Sequence, residues 1–297
     1  MKLSKVWSNG KIIIDGEPIK GDNFSLHYGP CVWEGIRAYK QSNGKCEIFK
    51  LEEHIKRLFF SAKCLRMKMP FTLPKIIQAC KDVVKHNGDD DMYLRPVVYY
   101  TGNCEDVYYG NRAINVDIFA FTIPKLYGNS AGAKLRMATE PRSYPAFKMQ
   151  VKCSANYTIG QPEHELVSLE KYSGILFYDN NRHITEASVA NIFIIKGDEL
   201  WTPPDDGSIL PGITRRTVGG ILQDPDIMFK KYKKAPRIIE KKFTAEHIHG
   251  SDEAFLCGTY AEVVPLLELD GIPIGEGKVG FYTSVAKDEY ERLVRGK

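Results

Sequence analysis

Three kinds of residue in this chain could do chemistry. They are an acid in Glu186-Ala-Ser-Val-Ala-Asn191-Ile-Phe193, a loop Leu210-Pro-Gly-Ile-Thr214 that runs into Arg215-Arg-Thr-Val-Gly-Gly-Ile-Leu222, and the lysines. The loop reads as an anion site. The segment after it can be helical, and Thr214 near a helix start leaves backbone N–H groups without intrahelical partners, where the dipole favours negative charge. Ile213 and Thr214 would supply those donors, and Gly212 would let an anion approach the backbone. Without a ligand, the same segment is an ordinary loop-to-helix cap. Glu186 taken alone is an acid flanking the turn after Arg182-His183. Lysine is the side chain that forms imines, but the chain holds 41 lysines and arginines, so composition leaves the reactive amine open. His247-Ile-His249 could ligate a metal; no second cluster accompanies it, and no metal site is expected.

Taken together, Glu186 to Phe193, Leu200-Trp-Thr202 and Leu210-Pro-Gly-Ile-Thr-Arg215 resemble the signature of the class IV pyridoxal-phosphate aminotransferases, the group that contains the branched-chain amino-acid aminotransferases. The resemblance runs from His27 to Glu262 and is tightest between Lys152 and Thr259. It implies pyridoxal 5′-phosphate as cofactor, and it resolves the lysine. In the family the Schiff-base lysine precedes an Asn-Tyr pair by four residues, as Lys152 does in Lys152-Cys-Ser-Ala-Asn156-Tyr157; the rival Lys148 lacks the pair. It further implies that Tyr157 bonds the ring phenolate oxygen and that Glu186 keeps the ring nitrogen protonated. The phosphate would be held by Leu210, Gly212, Ile213 and Thr214, by Thr259 in Cys257-Gly-Thr-Tyr-Ala-Glu262, and by Arg57 in Glu53-His-Ile-Lys-Arg57-Leu. Tyr28, Trp33, Gly35, Arg37, Tyr93, Arg95, Tyr260 and Ala261 are implied on the substrate side, with Tyr28 reaching across from a second subunit. A homodimer, or a higher homo-oligomer, is therefore expected.

These implications define an activity. A class IV enzyme of this group would move the amino group of branched-chain L-amino acids (leucine, isoleucine, valine) to 2-oxoglutarate by a ping-pong mechanism, as in branched-chain amino-acid biosynthesis. The other activities of the class are D-amino-acid and (R)-amine transamination and aminodeoxychorismate lysis; Gly35-Ile-Arg37 and Tyr93-x-Arg95 favour the branched-chain group over them. A non-catalytic cofactor-binding protein is the reading that an intact Lys152 and Glu186 oppose. Two positions leave the family pattern. Trp33 stands where many bacterial branched-chain enzymes have phenylalanine, and Tyr260 where they have alanine, so added bulk near the pocket puts the substrate side chain in question.

The elements that must position these residues can be read from periodicity. Val6-Trp-Ser8 and Lys11-Ile-Ile-Ile14 flank Asn9-Gly10, a hairpin signal. Leu51, Ile55, Leu58, Phe59, Ala62 and Leu65 recur at helical spacing, which predicts a helix over 51–68. A second runs from near Pro74 to His86, with proline in the first turn and Asn87-Gly88 as a stop. Met92–Tyr100, Val116–Phe121, Gly174–Tyr178, Asn191–Ile195 and Ala254–Cys257 read as strands. The segment from Asn156 to Glu170 is helix-compatible in its later part, and Asp179-Asn-Asn-Arg182 is a turn. Gly, Ser and Asn cluster between Pro124 and Ala133, which suits a linker. The expected organisation is an α+β, two-domain fold type IV enzyme: a small N-terminal α/β domain over 1–123, an inter-domain linker over 124–133, and a larger C-terminal domain over 134–297, mixed and β-barrel-like with flanking helices, the cofactor lying between the domains.

Composition narrows the rest. With 297 residues, 43% apolar, the chain can bury one large or two modest cores. A net charge of +4 is no argument for nucleic acid or membrane. The basic run Lys230-Lys-Tyr-Lys-Lys234 reads as a solvated face rather than an adaptor surface, since no stacking motif or groove accompanies it. Seven cysteines, an odd number without a C-x-x-C pair, argue against a disulfide framework and for a reducing compartment. No signal peptide or membrane-length apolar run is seen, so the expected location is the cytoplasm.

Overall fold

A computed structural model describes residues 5–16, 18–88, 90–108, 110, 112–121, 132–142, 149–170, 172–232 and 234–297. Most of the expected linker, 124–131, and Lys148 lie outside these residues. The chain divides into two compact units. The first holds the described residues of Met1–Pro124, Val151–Ile159 and Gly296; the second holds those of Lys125–Gln150, Gly160–Arg295 and Lys297. The segment carrying Lys152 therefore packs with the N-terminal half, although it follows position 134 in the chain.

The first unit is built on a seven-stranded sheet in the order Lys11–Ile14, Lys5–Ser8, Ile114–Phe121, Met92–Tyr100, Ile36–Lys40 and Cys46–Ile48, with Cys31–Trp33 also pairing to Met92–Tyr100. The Asn9-Gly10 hairpin forms with Ser8 opposite Lys11, both turn residues having positive φ. Met92–Tyr100 is the strand that matters for the site. Its first half pairs with Ile36–Ala38 and its second with Cys31–Trp33, so the chain between them, Glu34 and Gly35, is pinned against its centre, with Glu34 N donating to Pro96 O at 2.9 Å. Helix Leu51–Cys64 buries Leu51, Ile55, Leu58 and Ala62, and on the same face His54 and Ser61. It ends four residues earlier than the spacing predicts: Arg66 turns left-handed at φ 55°, and Met67 N reaches back to Ala62 O. Helix Leu73–Asn87 runs one residue beyond the expected span at each end and stops at Gly88, φ 106°.

The second unit is a nine-stranded mixed sheet in the order Ile184–Ala187, Gly174–Tyr178, Ala133–Met137, Glu262–Leu269, Glu253–Gly258, Asn191–Lys196, Glu199–Thr202 and Arg237–Glu240, with Ile272–Pro273 on Glu262–Leu269. The sheet curls until its ends meet: Ile184 N, on one edge strand, donates at 2.8 Å to Phe243 O, just past the other. Leu135, Leu176, Ile192, Ile194, Leu256 and Leu266 fill its core. Helices Ile213–Gln223 and Phe281–Val294 pack on Glu253–Gly258, and Phe281–Val294 is capped by Glu253, whose carboxylate accepts from Tyr282 N and Thr283 N. His247 caps a helix; its Nδ1 accepts from Thr244 N at the start of Ala245–His249. Among the described residues there is no cluster of potential metal ligands, and no helix is long and apolar enough to cross a membrane. The basic run is met by acids: Lys230 pairs with Asp226, Lys231 with Glu289 and Lys234 with Asp198.

Candidate active site

In the first unit the chain around Lys152 is docked on the strand that carries Trp33. Val32 bridges Cys153, Ser154 N donates to Cys31 O at 2.9 Å, and Lys152 N donates to the buried Ser61 Oγ at 3.0 Å. Asn156 Nδ2 donates to Val151 O at 2.8 Å, closing the loop around the lysine. The short helix Ala155–Thr158 then brings Tyr157 back, and Lys152 Nζ donates to its hydroxyl at 2.5 Å. The Asn-Tyr pair thus has two physical tasks, fixing the lysine backbone and partnering its amine. Burial pushes the Lys152 ammonium down from 10.5 to about 8; the Glu34 carboxylate works against this, and the Arg57 guanidinium adds to it. An amine titrating there is in part unprotonated near neutrality, as a nucleophile or base must be.

Beneath the lysine lies a buried charge network. Glu34 is fully buried and accepts from Arg57 Nε at 2.6 Å, from Arg57 NH2 at 2.9 Å and from His54 Nδ1 at 2.8 Å. Burial alone would raise its carboxyl, but the Arg57 ion pair and the bonds to it hold it well below the usual carboxylate range. Burial pushes His54 down, so its ring is neutral and carries its proton on Nδ1, facing Glu34. His54 and Arg57, three apart on one helix, share a face.

Three of the implied site residues of this unit, Lys152, Arg95 and Tyr157, gather around Trp33. Its ring lies 4.0 Å from Lys152 Nζ, 3.9 Å from the Arg95 guanidinium and 4.7 Å from the Tyr157 ring centroid. Gly35 has a steric reason to be glycine: a Cβ there would stand 1.6 Å from the Tyr93 hydroxyl. Arg37 sits opposite Tyr93 in the strand register. Tyr28 is bonded elsewhere; it is 44% exposed at the end of helix Phe24–Tyr28, and its hydroxyl donates to Cys104 O at 3.0 Å.

The second unit assembles the acid and the anion cradle. Glu186 is buried, and its Oε1 accepts from Arg142 NH2 at 2.8 Å. Oε2 accepts from Leu210 N at 3.0 Å and from Asn191 Nδ2 at 3.2 Å, and Asn191 Nδ2 also donates to Leu210 O at 3.0 Å. The Leu210 N–H is thus committed to the carboxylate. Helix Ile213–Gln223 has Gly212 as its N-cap, so Ile213 and Thr214 are among the first-turn positions whose N–H groups lack intrahelical acceptors. Gly212 must be small: its Cβ would fall 2.0 Å from Asn191 Oδ1. Thr259, Tyr260 and Ala261 form the turn between Glu253–Gly258 and Glu262–Leu269. Gly258 lets this turn lie against Val189 and Ala190, since a Cβ there would stand 2.8 Å from Val189 O. Cys257 pairs with Asn191 in the sheet, which puts the turn and the Asn191 end of its strand together.

Comparisons with known proteins give the family. The amino-transferase class IV family model matches residues 32–269. This chain belongs to the class IV aminotransferases. Among curated relatives, the branched-chain-amino-acid aminotransferase of Pseudomonas aeruginosa is 31% identical, over 99% of this chain and 96% of its own. That of Escherichia coli K12 is 28% identical over 100% and 94%. A solved branched-chain aminotransferase from Thermoproteus uzoniensis, with norvaline, superimposes at a TM-score of 0.90 with 30% identity, covering 99% of this chain and 96% of that one. The enzyme from Thermobaculum terrenum, solved in its PLP-form, does so at 0.88 with 26% identity, covering 99% and 94%. The α+β, fold type IV architecture is therefore that of this class IV aminotransferase.

Four residues of this aminotransferase carry bonds that the sequence did not disclose as roles. Glu34 and Asn191 stand inside quoted motifs; Glu34 is the partner of Arg57, and Asn191 ties Glu186 to the Leu210 loop. His54 could be suspected from its spacing to Arg57. Arg142 lies 44 residues from Glu186 in no motif, and only the folded sheet brings the two together.

Proposed function

We propose that this class IV aminotransferase moves the amino group of leucine, isoleucine and valine to 2-oxoglutarate, using pyridoxal 5′-phosphate in a ping-pong cycle. The observation that carries the reading is the buried Lys152 amine, pushed down to about 8 and bonded to Tyr157, in a chain alike over its whole length to branched-chain aminotransferases. The donor set fits the cofactor. An aldehyde needs an amine that loses its proton readily, a pyridinium needs an ionised carboxylate, and a phosphate needs N–H donors and a cation. Lys152, Glu186 and the Gly212–Thr214 helix start with Thr259 and Arg57 answer these needs in turn.

When bound, the cofactor supplies an electron sink for the charge that develops at the substrate Cα. The remaining work falls to the chain. Lys152 Nζ would hold the cofactor aldehyde and would serve as the base that moves the substrate Cα proton in either direction of the cycle. Tyr157 orients Nζ and bonds the ring oxygen. Glu186 faces the ring nitrogen with its charge held in place by Arg142, Asn191 and Leu210 N. Ile213, Thr214, Thr259 and Arg57 hold the phosphate, Leu210 and Gly212 shape its loop, and Glu34 and His54 fix the Arg57 guanidinium. Trp33, Gly35, Arg37, Tyr93, Arg95, Tyr260 and Ala261 would face the substrate, with Trp33 setting the width beside Nζ, and Tyr28 would reach in from a second copy.

The reading extends to a homodimer in the cytoplasm. Leu26 and Tyr28 are 65% and 44% exposed on one short helix, which suits burial by a second copy, and all seven cysteines are unpaired, as a reducing compartment requires. Sedimentation velocity tests the dimer. Lys152→Ala tests the chemistry: the variant should fold, bind the cofactor only noncovalently and fail to turn over L-leucine. Normal turnover by that variant would refute the assignment.

A further inference from the structure

Arg142 belongs to no motif, yet it makes a buried ion pair with the acid at the centre of the reading above. Its NH2 donates to Glu186 Oε1 at 2.8 Å, and the two side chains are only 4% and 9% exposed. Its own position is fixed from the neighbouring strand: Arg142 N donates to Tyr178 O at 2.8 Å, and its guanidinium lies 4.1 Å from the centre of the buried Phe177 ring. Asn191 Nδ2 and Leu210 N, which also donate to Glu186, are neutral. Arg142 is thus a cation that the fold places directly on this carboxylate.

We propose that Arg142 is a positioning residue that keeps Glu186 an ionised, weakly basic carboxylate, so that the proton it shares with the cofactor ring nitrogen stays on the ring. The reasoning is electrostatic. A carboxyl this buried is driven toward its neutral form, whereas a guanidinium in contact favours the charged form. Were Glu186 a neutral acid, it would donate to an unprotonated ring nitrogen, and the ring would draw electrons from Cα weakly. With Arg142 in place, the ring nitrogen holds the proton and Glu186 accepts. Arg142 does this through Glu186, by charge and by a bond to the oxygen opposite that taken by Leu210 N. A plug that only filled space would not need a fixed cation.

The inference rests on the cofactor reading, and its test separates the two. Wild type, Arg142→Gln and Arg142→Lys are prepared cofactor-free, and the Glu186 carboxyl is titrated by carbon NMR. Each is then loaded with pyridoxal 5′-phosphate carrying nitrogen-15 in the ring, and the ring signal is recorded. In wild type Glu186 should titrate below the ordinary glutamate value of about 4.3. In Arg142→Gln it should titrate about one to three pH units higher than in wild type, the span an adjacent cation commands. The ring nitrogen should be protonated in wild type, shift toward the unprotonated position in Arg142→Gln, and return with Arg142→Lys. The fall in turnover should lie in kcat and follow the nitrogen signal. A wild type that does not bind the cofactor through Lys152 refutes the functional reading and this inference with it. A protonated ring nitrogen in both wild type and Arg142→Gln overturns the inference alone. Should Arg142→Gln not fold, the wild-type titration still decides: a Glu186 that titrates at or above the ordinary value overturns it.

Discussion

Replacing Lys152 by methionine should stabilise the cofactor-free protein at neutral pH, and the gain should vanish in alkali. The ammonium is pushed down from 10.5 to about 8 because the folded chain buries it. Below about 8 the amine is charged in both folded and unfolded chains, and the full burial penalty is present. Between 8 and 10.5 the unfolded chain keeps the proton that the folded chain has released, so stability rises with pH through that window. The interval from 10.5 to about 8 corresponds, at about 1.4 kcal/mol per pH unit, to about 3–4 kcal/mol. Methionine removes that penalty but leaves the Tyr157 hydroxyl without its 2.5 Å partner, a loss of about 1 kcal/mol. Lys152→Met should therefore be more stable than wild type by about 2–3 kcal/mol at pH 7 and less stable by up to about 1 kcal/mol above pH 10.5. Urea unfolding of both proteins across this range, followed by tryptophan fluorescence, measures the difference, and titration of other groups cancels in it. A difference that is flat with pH, or a variant weaker than wild type at pH 7, would refute the assignment of a buried, depressed amine at position 152.

Three further outcomes follow from the same geometry. Glu34→Gln leaves the Arg57 guanidinium buried without its counter-charge, and should cost about 3–5 kcal/mol in urea unfolding. Gly212→Ala places a Cβ 2.0 Å from Asn191 Oδ1; the helix start must shift, and the dissociation constant for pyridoxal 5′-phosphate, read by fluorescence titration, should rise about tenfold or more, equivalent to about 1.4 kcal/mol. The rate at which the cofactor-free protein captures pyridoxal 5′-phosphate should climb about tenfold per pH unit below the Lys152 midpoint and level off above it, a profile that stopped-flow absorbance records and that a midpoint near 10.5 would contradict.

How far the sequence reached depended on whether a feature is local. The Asn9-Gly10 hairpin, the helix over Leu73–Asn87 and the strands over Gly174–Tyr178, Asn191–Ile195 and Ala254–Cys257 rest on short-range periodicity and turn chemistry, and the fold contains them. The end of helix Leu51–Cys64 was not readable, since apolar spacing continues to Leu65 while the backbone at Arg66 turns away. At the site, Lys152 and Tyr157 were legible only through the resemblance to the family, and the short helix Ala155–Thr158 then brings the two together. Trp33 was marked by its departure from the family pattern, and its ring does stand beside Nζ. Glu34 with Arg57, and Arg142 with Glu186, are pairs made across 23 and 44 residues. Their pairing is decided by how strands order themselves in each sheet, which no local spacing encodes. The glycines divide likewise: Gly35 and Gly212 look like loop residues until Tyr93 and Asn191 are seen to fill the space a Cβ would take.

The account turns on what Lys152 and its neighbours do to an amino acid. The most direct measurement supplies the cofactor-loaded protein with 2-oxoglutarate and, in separate reactions, L-leucine, L-isoleucine, L-valine, L-phenylalanine or D-alanine, and quantifies the glutamate and 2-oxo acid formed. The account expects glutamate and the matching 2-oxo acid in equal amounts from the three branched-chain substrates, with a lower kcat/KM for L-phenylalanine and no product from D-alanine. Turnover of D-alanine without L-leucine, or no glutamate from any of the five, would contradict it.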